Sequence, residues 1–157
     1  MRPLNILVVD DDQNLAITLS YGLRKAMGGA ASVAVCLNGS EAIAMIAAQA
    51  FDVVVSDYNM PGPTGLELLH RVRQDHHETI LVLSTAYGTD ALEVGVRQLG
   101  MGYITKPFEP SQLVQLIKEM IQDREITGSP EKVPSMVDQL GKSAGSSLGM
   151  TEGMFHE

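Results

Sequence analysis

The feature that most constrains this chain is an alternation between short, continuous apolar runs and longer segments with helical periodicity. The runs are too short for helices, and the middle ones show no polar alternation. Runs of this kind are typical of strands that are buried on both faces. The segments predicted as strands are Asn5–Asp10, Ser32–Leu37, Asp52–Asp57, Thr79–Ser84 and Gly102–Thr105.

The segments between these runs repeat their apolar residues at helical spacing. In the first segment, Leu15, Leu19 and Leu23 recur at every fourth position, which places them on one face of a helix. We expect Asp12 to cap this helix, Ser40 to cap the second one and Thr64 to cap the third. The predicted helices are Asn14–Met27, Ser40–Ala50, Thr64–Gln74, Asp90–Leu99 and Ser111–Asp123.

Strands that alternate with helices predict right-handed βαβ units and therefore the α/β class, with a doubly wound parallel sheet of five strands. This unit fills residues 1–125. Residues 126–157 are dominated by Gly, Ser and Pro and have no sustained periodicity. We expect a flexible linker or tail there, or the start of a truncated output domain.

The bulk composition disfavours several classes of protein. A net charge of −8 argues against general binding to nucleic acid, whose phosphates would be repelled. The single cysteine, Cys36, excludes a disulfide framework, and its apolar surroundings predict a reduced core residue. No apolar stretch is long enough to span a membrane, and the first residues lack the apolar core of a signal peptide. We therefore expect a cytoplasmic protein.

Polar side chains stand at the ends of four predicted strands. Asp10, Asp11 and Asp12 end the first strand, and Asp57 ends the third. Ser84-Thr85 ends the fourth strand, and the fifth ends in Thr105-Lys106-Pro107. The carboxyl ends of parallel strands meet at one edge of the sheet, where such folds bind ligands. The sequence therefore predicts that these groups converge on one site.

The predicted cluster suits phosphoryl transfer. Two carboxylates about 4 Å apart repel by roughly 4 kcal/mol at an effective dielectric constant near 20, so such a cluster favours a hard cation such as Mg²⁺. A carboxylate can also accept a phosphoryl group, while Lys106 and Thr85 would stabilise its oxygens. Taken singly, Asp12 is a helix cap and Lys106 a surface residue. Their joint occurrence at ordered strand ends indicates a functional site.

Four segments resemble the response-regulator receiver family, whose members are the partners of sensor histidine kinases. They read ILVVDDD, VVVSDYNMPGPTGLELL, VLSTAYG and YITKPF, and they span residues 1–125. The resemblance implies a flavodoxin-like (βα)5 fold with strand order 2-1-3-4-5. It also implies a two-component signalling module rather than an enzyme, one that catalyses only its own phosphorylation and dephosphorylation.

The resemblance assigns roles to individual residues. Asp57 corresponds to the phosphoacceptor, and Asp10 and Asp11 to the acidic pair that binds Mg²⁺ or Mn²⁺ beside it. Asn59 would add its backbone carbonyl to the metal site. The Pro-Gly turn after Asn59 would shape the loop, and Gly65 would permit a close approach of that loop to a helix.

Three further residues correspond to the family's phosphoryl contact and its conformational switch. Thr85 matches the switch hydroxyl, Lys106 the lysine that contacts the phosphoryl group, and Tyr103 the switch aromatic. Phosphorylation would draw Thr85 inward and leave room for Tyr103 to rotate inward. The alternative for Tyr103 is an aromatic residue that simply fills the edge of the sheet.

The resemblance leaves the output open. A sensor histidine kinase or a phosphotransfer protein would be the phosphodonor, and a homodimer would use the face of the fourth helix, fifth strand and fifth helix. Residues Gly145–Glu157 weakly resemble the opening of the ATPase domain of sigma-54-dependent activators, which would make transcription the output. The alternatives are a stand-alone receiver that acts in phosphotransfer or protein interaction and, more remotely, a haloacid-dehalogenase-type phosphatase.

Overall fold

A computed structural model describes residues 2–127 and contains the elements that the sequence predicts. The strands are β1 Leu4–Val9, β2 Ala31–Cys36, β3 Val53–Asp57, β4 Ile80–Thr85 and β5 Gly102–Thr105. The helices are α1 Gln13–Ala26, α2 Gly39–Ala48, α3 Gly65–Asp75, α4 Asp90–Gln98 and α5 Pro110–Thr127, with a short 3-10 helix at Gly28–Ala30. The strands form one parallel sheet in the order β2-β1-β3-β4-β5, which confirms the predicted fold.

The sheet is buried on both faces, as its continuous apolar runs predicted. In β1, the side chains of Leu7 and Val9 lie in a core shared with α2, α3 and α4, whereas Ile6 and Val8 lie in a core shared with α1 and α5. All four side chains are at most 1% exposed. Two apolar layers therefore hold the strands in place and present their carboxyl ends at one rim of the molecule.

Two of the three predicted helix caps are confirmed. The Asp12 side chain accepts a hydrogen bond from the backbone N–H of Leu15, and Thr64 forms a reciprocal capping box with Glu67. The prediction for Ser40 was wrong, because α2 begins earlier and Asn38 provides the cap. Asparagine accepts this hydrogen bond at least as well as serine, so the earlier residue begins the helix.

The last helix is longer than the sequence pattern indicated. It continues to Thr127, past the predicted end at Asp123, and so the predicted domain boundary at residue 125 falls inside it. Near this end, the Arg124 guanidinium donates a hydrogen bond to the Glu78 carbonyl oxygen. The tail was predicted over residues 126–157; its first two residues belong to α5, and residues 128–157 lie outside the described residues. Among residues 2–127, none of the helices is long and apolar enough to cross a membrane.

The buried position of Cys36 agrees with its prediction as a core residue. The side chain lies at the end of β2 and is 3% exposed. Burial raises the pKa of the Cys36 thiol to about 12, and the nearby Glu41 carboxylate acts in the same direction. The thiol is therefore uncharged near neutral pH and has the properties of a structural cysteine.

Candidate metal and phosphoryl-transfer site

Three carboxylates converge at the carboxyl rim of the sheet. Asp10 follows the last residue of β1, and Asp57 is the last residue of β3, which pairs directly with β1. One carboxylate oxygen from each of Asp10, Asp11 and Asp57 lies within 4.8 Å of the others. Asp10 and Asp57 are 5% and 7% exposed, whereas Asp11 lies on the surface. Two of the three carboxylates are thus buried, and the third is exposed to solvent.

Lys106 joins the cluster from the far edge of the sheet. Its Nζ atom lies 2.8 Å from Oδ2 of Asp10 and 3.0 Å from Oδ1 of Asp57. Its backbone N–H donates to the Thr85 carbonyl oxygen at 2.8 Å, which extends the pairing of β4 with β5 beyond the last strand residue. The sheet itself therefore aims this side chain at the two carboxylates.

Among the residues that the structure describes, the charges in this cluster are unbalanced, because three carboxylates face the single ammonium group of Lys106. Desolvation raises the pKa of Asp57, and the negative charges of Asp10 and Asp11 add to this effect, while the hydrogen bond from Lys106 opposes it. Burial alone would lower the pKa of Lys106, but its hydrogen bonds to Asp10 and Asp57 outweigh burial and raise it. The cluster therefore favours an additional cation.

The donor set fits Mg²⁺. All three side chains offer carboxylate oxygens, which are the hard ligands that this ion prefers, and Mg²⁺ in proteins commonly binds one or two carboxylates together with phosphate oxygens. Asn59 lies in the exposed loop two residues beyond Asp57. Its contribution of a backbone carbonyl remains a prediction.

Backbone hydrogen bonds hold the acidic side chains in place. The backbone N–H of Asp12 donates to Oδ1 of Asp10 at 2.9 Å, which leaves the other oxygen facing Lys106. After Asp57, the backbone N–H of Tyr58 donates to the Ser84 carbonyl oxygen at 2.8 Å. The sequence indicated only the capping role of Asp12, because the second role depends on how the chain turns after β1.

Gly65 makes the close approach that the sequence predicted. A methyl group at this position would overlap the carbonyl oxygen of Asp57 and would lie 2.8 Å from the carbonyl carbon and 3.0 Å from Oγ of Ser56. The backbone N–H of Gly65 also donates to the Tyr58 carbonyl oxygen at 2.9 Å. The loop after β3 therefore folds back onto the strand end, which only a residue without a side chain permits.

The two predicted switch residues lie at the β4–β5 side of the same rim. Thr85 is fully buried, and its hydroxyl accepts a hydrogen bond from the backbone N–H of Tyr87 at 3.1 Å. Tyr103 is 6% exposed and belongs to the apolar core beneath α4. Desolvation raises the pKa of Tyr103, and the Glu93 and Asp90 carboxylates contribute to the rise. The ring therefore lies inward in this structure.

Gly88 is a further residue of interest that the sequence reasoning missed. It lies in the loop after β4, and both the Tyr103 ring and the methyl group of Thr85 approach it closely. A glycine in a surface loop usually indicates only a turn, and nothing in the sequence links this one to a tyrosine in the next strand.

The chain matches the family model described as the response regulator receiver domain over residues 6–118. Among curated proteins, it is 31% identical over 130 residues to the DNA-binding transcriptional regulator NtrC of Salmonella typhimurium, a match that covers 82% of this chain and 27% of NtrC. It is 36% identical over 138 residues to the response regulator protein FleR of Pseudomonas aeruginosa, covering 87% of this chain and 28% of FleR. The chain thus spans little more than a quarter of these two relatives.

Solved structures share the fold. The chemotaxis response regulator CheY4 of Vibrio cholerae superposes with a TM-score of 0.67 and 28% identity, covering 75% of this chain and 98% of CheY4. The response regulator protein TrrA from Thermotoga maritima, solved in complex with Mg²⁺-BeF, gives a TM-score of 0.65 and 28% identity over 74% of this chain and 98% of TrrA.

Proposed function

Because the chain belongs to the response regulator receiver family of two-component systems, we propose that it is a Mg²⁺-dependent phosphoacceptor whose Asp57 carries the phosphoryl group. The observation that supports this most strongly is the cluster at the carboxyl rim. There, one carboxylate oxygen from each of Asp10, Asp11 and Asp57 lies within 4.8 Å of the other two. The Lys106 ammonium group contacts two of these three carboxylates. This arrangement supplies a nucleophile, a metal site and a fixed cation together.

In the proposed reaction, a carboxylate oxygen of Asp57 attacks the phosphorus atom of a phosphohistidine on a sensor kinase or phosphotransfer protein. The phosphorus–nitrogen bond breaks, and its electron pair remains on the imidazole ring of the donor. Mg²⁺ or Mn²⁺, held by Asp10, Asp11, Asp57 and the Asn59 carbonyl, would neutralise charge on the phosphoryl oxygens. Water later hydrolyses the aspartyl-phosphate, which releases inorganic phosphate and restores Asp57, so the chain catalyses only its own phosphorylation and dephosphorylation.

Lys106 and Thr85 would stabilise the product. Lys106 moves its contact from Asp57 to a phosphoryl oxygen while it remains paired with Asp10. The Thr85 hydroxyl accepts from Tyr87, so its own proton is available for another phosphoryl oxygen. Each new contact favours one of two pre-existing conformations, and a bias of about 1.4 kcal/mol changes their ratio tenfold.

Tyr103 would couple this conformational equilibrium to the surface of the domain. The Tyr103 ring is already buried in the unphosphorylated chain. Phosphorylation would therefore favour a ring position that the chain also adopts without a phosphoryl group. A change in the occupancy of this position alters the surface formed by α4, β5 and α5, the face that we propose for homodimer formation.

The proposed output is the regulation of transcription in the cytoplasm, supported by the name of NtrC as a transcriptional regulator. A second candidate is a stand-alone receiver that acts in phosphotransfer or protein interaction. It is supported by CheY4, a chemotaxis regulator of which this chain covers 98%. A reading frame that continues past Glu157 into an ATPase or DNA-binding domain would favour the first candidate.

The phosphoacceptor proposal is tested by intact-mass measurement after incubation with acetyl phosphate and Mg²⁺. We expect one phosphoryl adduct on the native chain and none on Asp57→Asn. The matched control is Asp52→Asn, which should leave the adduct unchanged because Asp52 immediately precedes β3, at the end of the strand opposite to Asp57. An adduct that persists in Asp57→Asn, or forms equally in EDTA, would contradict the proposal.

A further inference from the structure

We propose that Gly88 is a positioning residue for Tyr103, because the missing side chain at position 88 creates the space that the inward ring occupies. The inference rests on the proposed role of Tyr103 as the switch aromatic and adds the residue that controls its position. Gly88 lies three residues beyond Thr85 and fifteen residues before Tyr103, in the loop that joins β4 to α4.

The steric argument is direct. A methyl group built on Gly88 would overlap the Tyr103 hydroxyl oxygen and would lie 3.0 Å from Cζ of the same ring. It would also lie 3.3 Å from Cγ2 of Thr85. The φ angle of Gly88 lies outside the left-handed region, so its backbone conformation is open to other residues. The conflict therefore comes from the Tyr103 ring.

The ring cannot easily move aside within the core. A tyrosine side chain has two rotatable bonds before its ring, and this one is 6% exposed. Its backbone is held in register beside Leu83 of β4, and Leu92 and Leu99 pack against the same apolar core. A close-packed interior does not absorb an additional methyl group without displacing a neighbour.

The loop that carries Gly88 is held on both sides. Before it, the Tyr87 N–H donates to the Thr85 hydroxyl at 3.1 Å. After it, the Thr89 hydroxyl caps α4 by accepting from the Leu92 N–H, also at 3.1 Å. Moving the loop would break one of these hydrogen bonds, whereas moving the ring outward breaks neither. A side chain at position 88 should therefore drive Tyr103 out of the core.

The inference is tested by a double-mutant cycle with Gly88→Ala and Tyr103→Phe, measured by urea unfolding without a phosphodonor. We expect Gly88→Ala to lower the unfolding midpoint clearly when residue 103 is tyrosine. We expect a much smaller shift in the Tyr103→Phe background, because phenylalanine lacks the oxygen that the methyl group would overlap. Equal shifts in the two backgrounds would overturn the inference. Gly29→Ala, at an open position, is the control for a general effect of alanine.

A second measurement shows where the ring lies. The ring-proton resonances of Tyr103, assigned by their loss in Tyr103→Phe, should move toward the values of exposed tyrosine in Gly88→Ala. Unchanged resonances would overturn the inference. Neither measurement uses phosphorylation, so failure of Asp57 to accept a phosphoryl group would leave both readings intact.

The link to the site is tested with beryllofluoride and Mg²⁺ as a phosphoryl mimic. If the inward ring accompanies the phosphorylated conformation, Gly88→Ala should weaken beryllofluoride binding severalfold, and adding Tyr103→Phe should restore much of it. Binding that is unchanged in Gly88→Ala would refute the coupling of position 88 to the site.

Discussion

The strand β3 has an aspartate at each end, and the two aspartates have opposite surroundings. Asp52 precedes the strand and faces Arg2, whereas Asp57 ends it and faces Lys106. Asp52 accepts two hydrogen bonds from the Arg2 guanidinium, both at 2.8 Å, and one from the backbone N–H of Asn5 at 2.7 Å. Asp57 shares its single ammonium partner with Asp10.

The pKa values of the two carboxyl groups follow this difference. The hydrogen bonds from Arg2 lower the pKa of Asp52, and the Asn5 N–H adds to the effect. Desolvation and the neighbouring carboxylates raise the pKa of Asp57 despite Lys106. The comparison teaches that a strand-end aspartate is structural where its charge is matched, and suited to a metal and a phosphoryl group where negative charge is in excess.

The largest expected difference between the two ends of the sheet is the stability cost of replacing a glycine with alanine. Gly65→Ala should destabilise the fold by about 3 kcal/mol, because the methyl group overlaps the backbone of Asp57. Gly29→Ala, just before β2 at the amino end, should change stability by less than about 0.5 kcal/mol, since, apart from its neighbours along the chain, no atom of residues 2–127 lies within 4 Å of its Cβ position. Urea unfolding measures both. Similar losses of stability at the two positions would contradict a steric requirement for glycine at position 65.

Mg²⁺ should stabilise the carboxyl rim alone. A ligand present at 100 times its dissociation constant adds about 2.7 kcal/mol to the free energy of unfolding. We expect this gain in the native chain and in Asp52→Asn, and we expect its loss in Asp10→Asn, which removes one of the three negative charges of the cluster. Thermal unfolding with and without Mg²⁺ measures the effect. A gain that survives Asp10→Asn would place the ion elsewhere.

The cationic partners of the two aspartates, Lys106 and Arg2, should also differ in their contribution to stability. In EDTA, Lys106→Met should cost about 2 kcal/mol, since it leaves two buried carboxylates without their partner. Arg2→Met should cost much less, because the Arg2 side chain is 71% exposed and water replaces its charge. Chemical unfolding of the two variants provides the comparison. An equal or larger cost for Arg2→Met would contradict the assignment of the two ends.

The smallest expected effect is that replacing the two aspartates changes the free energy of unfolding in opposite directions. The pKa of Asp57 is raised on folding, so its ionisation costs stability once the pH rises through the folded-state value. The pKa of Asp52 is lowered, so its contribution is present above the unfolded-state value and is lost as the pH falls through the folded-state value. At pH 7 in EDTA, Asp57→Asn should therefore gain about 1 kcal/mol and Asp52→Asn should lose about 1 kcal/mol.

These opposite changes should disappear in acid. Below the ordinary pKa range of carboxyl groups, Asp57 is protonated in both states, so the gain from Asp57→Asn vanishes. The loss from Asp52→Asn vanishes only at lower pH, after the depressed folded-state value has been passed. Urea unfolding across this pH range separates the two. Destabilisation by Asp57→Asn at pH 7 would show that Lys106 outweighs the neighbouring carboxylates.

Much of the fold could be predicted because its signals are local. The apolar runs predicted each strand to within one residue at either end, as Asn5–Asp10 against the observed Leu4–Val9 illustrates. Helix ends were less certain. Asn38 capped α2 in place of Ser40, and α5 continued beyond Asp123. Several residues near a helix end can cap or extend it, and the choice depends on small free energies.

The rim could be predicted only in part. Asp10, Asp57 and Lys106 were identified because the order of strands in a doubly wound sheet brings their ends together. The second hydrogen bond of Asp12 and the contact of Gly88 with Tyr103 were missed. Both depend on how loops turn after their strands, and loop conformation has little signal in residue type alone.

The sequence by itself determined the elements of this protein, the class of its fold and the kinds of chemical group that end its strands. The tertiary structure decided the distances, above all the 2.8 Å contact between Lys106 and Asp10, which are separated by 96 residues in the chain. Periodicity and composition act over a few neighbouring residues, so they appear directly in the sequence. An excess of negative charge exists only once distant carboxylates share one desolvated space, and packing alone creates that space.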